Sequence, residues 1–271
     1  MIRLDRVRAL LAKDLAETFS TAQIMGPLVV VPLMIIIGYP VGFLLALQSA
    51  PGAVDGLKDF IGSFPVSAIP AIPGLTSAGR AAYIGVVYLF AGFFLIVPTM
   101  VSTVIAANSF AGEKERRTLE GLLYTPLSDA ELVIGKIAAS FLPAVMFAWV
   151  CFAIYTGIVD VLGAPIVGEL FFPTANWWAL MVLLVPTVSL FMVATVVLVS
   201  TKARGFQEAN AIGGSVVLPI IGVVAAQVSG IMVLSAEVIA VVSFAFAFLD
   251  AGLLWVIVRA FRRSRVVSYL P

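Results

Sequence analysis

Few residues in this chain could do chemistry, and their types exclude most of it. Histidine is absent from all 271 positions, which removes Ser-His-Asp and Cys-His catalysis, HExxH zinc chemistry and histidine-ligated haem together. The single cysteine, Cys151, lies in an apolar stretch and has no second thiol with which to form an intrachain disulfide. No phosphate-cradling G-x-x-x-x-G-K-[ST] occurs either, because Gly135-Lys136 is followed by Ile137 and position 130 is Ala. No catalytic set and no metal-ligand set can be assembled, so the expectation is a chain that is not an enzyme and binds no cofactor of its own. Two features remain. Asp250 is the one ionisable residue deep inside an apolar stretch, accompanied elsewhere by Asn210 and Gln227. The run Ser109–Lys136 holds nine of the 31 charges between two apolar stretches.

That run begins as a helix. Glu113 precedes Arg117 by four residues, the favourable orientation for an i,i+4 pair, and Glu113, Arg116 and Glu120 make a polar side beside Leu119, Leu122 and Leu123. Gly121 weakens the helix and Pro126 ends it. Ser128-Asp129-Ala130-Glu131 then has capping-box spacing, which predicts a restart there. On its own the run reads equally as a solvated loop whose charges hold it out of lipid.

The elements that position these residues follow from composition. Hydrophobic residues are 62% of the chain and charged residues 11%, with a mean hydropathy of +1.13, more apolar surface than a soluble fold can cover. The near-neutral balance of 16 basic against 15 acidic residues argues against a nucleic-acid partner. A membrane-spanning helix needs about 20 mostly apolar residues, and six stretches qualify: 26–47, 81–107, 136–159, 177–200, 209–232 and 236–259. Residues 1–20 lack the apolar core and small-residue cleavage site of a signal peptide. Over 2–19, Leu4, Val7, Leu11 and Leu15 recur at helical spacing among charged positions, which predicts an interfacial amphipathic helix or, more plainly, a basic segment that sets topology. Placing both termini in the cytoplasm puts fourteen of the sixteen Lys and Arg inside, leaving only Lys58 and Arg80 outside. Segment 48–80, broken by Pro51, Pro65, Pro70 and Pro73, is too short to span and is expected at the outer interface. Trp177 and Trp178 are expected as interfacial rings there.

The segment from Glu113 to Lys136 resembles the cytoplasmic loop of type 2 ABC transporter permeases. The matching residues are Glu113-Lys114-Glu115-Arg116, Thr118-Leu119-Glu120, Leu122-Leu123, Thr125-Pro126, Ser128, Glu131-Leu132 and Gly135-Lys136. The resemblance implies an all-α membrane protein forming a single permease domain over 1–271. Such a domain has six transmembrane helices, the N-terminal interfacial helix and a cytoplasmic coupling helix between spans two and three. It further implies a second permease copy or a related permease, the plasma membrane as location, and a separate ATP-binding subunit that carries ATP and magnesium. The implied contact with that subunit is Glu113, Glu115, Arg116, Arg117, Leu119, Glu120, Leu122 and Leu123.

Together these readings describe the permease subunit of an ATP-driven exporter of a hydrophobic or amphipathic small molecule, or of sodium ions. Asp250, Asn210 and Gln227 are the candidates for its translocation path, since an intramembrane carboxylate belongs at the protein interior or in water. The competing readings are a secondary transporter driven by an ion gradient through Asp250, and a membrane anchor that transports nothing.

Overall fold

The computed structural model describes residues 13, 22–49, 52, 54–65, 69–70, 72–116, 129–203, 205–215, 217–229 and 233–260. The helix expected over 2–19 therefore lies outside the described residues apart from Lys13, as does the stretch 117–128. Among the described residues there is no strand, and six helices are long and apolar enough to cross a membrane. We name them spans 1 to 6: Leu28–Ser49, Ser77–Glu115, Glu131–Leu162, Ala175–Ser200, Phe206–Gln227 and Ala236–Arg259. Each coincides with an expected stretch. Spans 2 and 3 run beyond their apolar cores into charged residues at the Lys- and Arg-rich end, called the inner end below.

Spans 2, 3 and 4 form the centre, each packed on the other two, while spans 1, 5 and 6 lie against this trio. Span 2 is buried along most of its length, and span 6 presents Val241, Phe244, Phe248 and Trp255 outward. That is the natural distribution for a bundle whose outer faces meet hydrocarbon, where interior packing rather than water exclusion holds the helices together.

Local chemistry explains the departures from regular helix. Pro40 and Pro186 have no N–H to offer the carbonyls of Ile36 and Val182, four residues earlier. The backbone widens into π turns at those places, Met34–Gly38 and Leu180–Leu184. Span 2 contains a π turn with no proline, Gly85–Leu89. There three successive carbonyls receive side-chain donors from three other spans. Tyr155 Oη donates to the Val86 carbonyl at 2.8 Å, Trp177 Nε1 to Val87 at 3.1 Å, and Gln227 Nε2 to Tyr88 at 2.9 Å. Foreign donors stabilise what an α turn would have satisfied internally, and they fix the register of spans 3, 4 and 5 against span 2. Trp177 thus departs from expectation. It is fully buried, stacked on Tyr155 at 4.6 Å and edge-on to Phe94 at 5.3 Å, because the Val87 carbonyl draws its N–H inward. Trp178, 48% exposed, keeps the outward position.

The described parts of 52–76 sit over the outer ends of the spans. Phe64 is buried beside Tyr88, and Leu57, Ile61, Ile72 and Leu75 pack on the main core. The segment ends at Thr76, whose hydroxyl accepts from the Gly79 N–H at 3.0 Å and caps span 2. On the solvent side, a hydrogen bond from Lys58 to Asp55, and then the Asp55 charge, hold the Lys58 ammonium above its usual pKa. The expected topology is checked by single cysteines at Ser63, Ser128 and Ser264 on a Cys151→Ala background. A membrane-impermeant maleimide added to intact cells should label the first only, and labelling of either other site would invert the assignment.

Candidate functional site

The charged inner end of span 2 is where the chain concentrates its polar contacts. The helix leaves its apolar stretch at Ala107, widens into a second non-proline π turn at Asn108–Gly112, and continues as Glu113–Glu115 with Arg116 in a turn. Four consecutive charged side chains then go to four different places.

Glu113 was expected on the polar outer side of its helix, paired with Arg117. It is instead 2% exposed, one carboxylate oxygen 2.6 Å from Lys136 Nζ on span 3 and the other 3.0 Å from Lys13 Nζ. Arg117 lies outside the described residues. The physical reason for its burial is that two cations from distant parts of the chain converge on this carboxylate, a buried pair with strong geometry. Lys136 is itself 0% exposed. Its ammonium has three donors, and three acceptors surround it: Glu113 Oε2 at 2.6 Å, the Ser109 carbonyl at 2.7 Å and Ser109 Oγ at 3.3 Å. The Phe110 ring lies 5.5 Å away. The π turn supplies the Ser109 carbonyl that an unbroken α-helix would keep for itself.

Lys114 donates to the carbonyls of Thr201 at 3.2 Å and Ala203 at 3.0 Å. These lie just past the C-terminus of span 4, where helix carbonyls lack intrahelical partners and a cation is favoured. Glu115 accepts from the Phe206 N–H at 3.0 Å, the first free amide of span 5 and the complementary end of a helix dipole. The approach is close enough that a Cβ on Gly205 would meet the Glu115 carboxylate, so any larger residue at 205 would push that side chain off the Phe206 amide. Arg116 donates to Asn108 Oδ1 at 3.2 Å, back onto its own helix.

Leu119, Glu120, Leu122 and Leu123 lie, like Arg117, outside the described residues, while Lys114, Glu115 and Arg116 are exposed. The sequence reading passed over Lys114, Lys136 and Asn108, whose partners sit 8 to 89 residues away. Only the density of alternating charge pointed to them.

The three translocation candidates are not brought together. Gln227 lies at the outer level, where Nε2 reaches the Tyr88 carbonyl and Oε1 is left without a hydrogen bond over Gly92. Asp250 is placed by the bond from the Ala236 N–H to Asn176, which aligns the outer starts of spans 6 and 4. Fourteen residues further on at 1.5 Å each, it lies about 20 Å deeper than that start. It is 3% exposed and neither carboxylate oxygen has a hydrogen-bond partner. Span 4, on which span 6 packs, contains no charged residue. Buried Ser189 on span 4, at about the same depth, also has an unpartnered hydroxyl. Asn210, half-buried, is one turn from the inner end of span 5, beside the Gly213 contact with Thr103 and Val196.

Comparisons with known proteins identify a family. The family described as ABC-2 family transporter protein matches residues 8–244, which covers all of spans 1 to 5 and the charged junction. No curated protein and no solved structure matches the chain. With most of its length matched and six membrane-length helices around a buried central span, the chain belongs to the ABC-2 family of transporter proteins and is a multi-pass membrane permease component of that class.

Proposed function

We propose that this chain is the permease of an ATP-driven exporter, that ATP is hydrolysed on a separate subunit, and that the subunit docks on the stretch following Arg116. The observation that supports the docking reading most directly is the geometry of the two span ends that this stretch joins in sequence: span 2 ends at the four-way junction, and the Glu113–Lys136 pair ties that end to the start of span 3. Arg117, Leu119, Glu120, Leu122 and Leu123 supply the charge and the apolar knobs by which an ATPase groove would recognise it, with Glu113, Glu115 and Arg116 holding the segment from behind. A second copy of the chain completes the path, both termini are cytoplasmic, and the apolar spans favour a hydrophobic or amphipathic cargo. Sodium is the second reading, favoured by the two unpartnered oxygens of Asp250, which could ligate a small cation.

Charge reversal at Arg117 and Glu120 together tests the docking surface. Neither residue lies in one of the six apolar spans, so insertion should be unchanged. The ATP-binding subunit should no longer be retained in copurification, or should hydrolyse ATP without driving export. Full retention and full transport in that double variant would remove this stretch from the interface.

A further inference from the structure

Glu113, Lys114, Glu115 and Arg116 are covalently successive, yet their side chains end on span 3 and the N-terminal segment, on span 4, on span 5, and on span 2 itself. We infer that Glu113–Arg116 distributes load within the permease: displacement of the neighbouring 117–128 stretch is passed to spans 3, 4 and 5 together through these side chains. This rests on the proposed ATPase partnership.

The geometry favours transmission over mere cohesion in two ways. Lys114 and Glu115 hold the facing ends of two consecutive spans, the last carbonyls of span 4 and the first amide of span 5. The 201–205 connection is short, so both of its ends are tied to a single rigid point on span 2. Moving that point moves both helices. The Glu113–Lys136 pair is fully buried and matched in donors and acceptors, which makes it the fixed anchor, whereas Lys114 and Glu115 are exposed arms that can be altered without opening the interior. A coupling element needs two sites biased through one physical connection, and this one has a defined set of atoms.

The experiment uses the complete chain with its ATP-binding subunit, on a Cys151→Ala background with spin labels at Ser77→Cys and Glu237→Cys, exposed positions at the outer ends of spans 2 and 6. The distance distribution is recorded with and without ATP and vanadate. In the parent an ATP-dependent population should appear. Lys114→Met should leave subunit retention and ATP hydrolysis within about twofold while reducing that population by about threefold or more. Lys114→Arg, which keeps donors for the carbonyls of Thr201 and Ala203, should preserve most of it. If Lys114→Met fails to assemble, Lys114→Gln is read on the same scale.

An unchanged ATP-dependent population in the Lys114→Met variant overturns the inference. So does equal loss in Lys114→Arg, or loss of subunit retention on altering 114, which would place it in the docking surface instead. A parent that retains the ATP-binding subunit but shows no ATP-dependent population overturns the inference and leaves the partnership standing. A parent that retains no such subunit overturns both.

Discussion

Lys136→Met is expected to destabilise the permease by about 3–5 kcal/mol, the loss typical when one partner of a buried ion pair is removed. The substitution keeps the volume and the unbranched stem, so no cavity opens. It takes from the Glu113 carboxylate, 2% exposed, its closer described cation while Lys13 stays at 3.0 Å, and it strips a donor from the Ser109 carbonyl. Unfolding of the detergent-solubilised protein, followed by the loss of monodisperse material on heating, should show a much lower midpoint. Adding Glu113→Gln to Lys136→Met removes the stranded charge, so this double variant should recover at least half of the loss, since a neutral replacement of a buried pair is often tolerated. A single variant as stable as the parent would show that the pair carries no weight.

Asp250→Asn is expected to insert and assemble as the parent does and to transport about tenfold more slowly, a barrier increase of ~1.4 kcal/mol. A carboxylate buried at the depth of Ser189, with no cation on the adjacent span and no hydrogen bond to either oxygen, contributes nothing visible to packing that asparagine could not replace. Its retention is explained if it meets cargo. Inside-out vesicles holding the permease and its ATPase should be assayed in parallel for radiolabelled sodium uptake and for movement of a lipophilic cationic dye. The parent activity that falls in the variant identifies the cargo class, while equal activity in both assays makes Asp250 a packing residue.

The spans could be read from the sequence because lipid imposes a one-dimensional rule. Each helix must satisfy its own backbone over about 20 apolar residues, so hydropathy alone locates it. The solitary carboxylate at 250 stood out for the same reason. What could not be read was long-range pairing. The periodicity around Glu113 put it on a polar outer side and gave no sign of its burial, because Lys13 and Lys136 lie 100 and 23 residues away and no helical spacing encodes them. Trp177 failed likewise. A Trp pair at a span end carries the composition of an interfacial belt, and the Val87 carbonyl that pulls one ring inward belongs to another span and to a backbone turn no residue pattern announces. Lys114 read as one more inside charge and Glu115 as part of the contact with the ATP-binding subunit, and neither reading gave its place on a helix terminus, a product of the fold.

The π turn at Gly85–Leu89 also has a consequence for biosynthesis. A chain made from its N-terminus delivers span 2 to the bilayer before Tyr155, Trp177 and Gln227 exist. With those donors missing, the carbonyls of Val86, Val87 and Tyr88 would be orphaned in hydrocarbon at several kcal/mol each. The nascent span therefore enters as plain α-helix, with those carbonyls bonded along its own axis. The wider turn forms as the three later spans arrive in order, each capturing one carbonyl. The register of span 2, and with it the facing of everything on its outer side, is settled by residues synthesised 69 to 139 positions later.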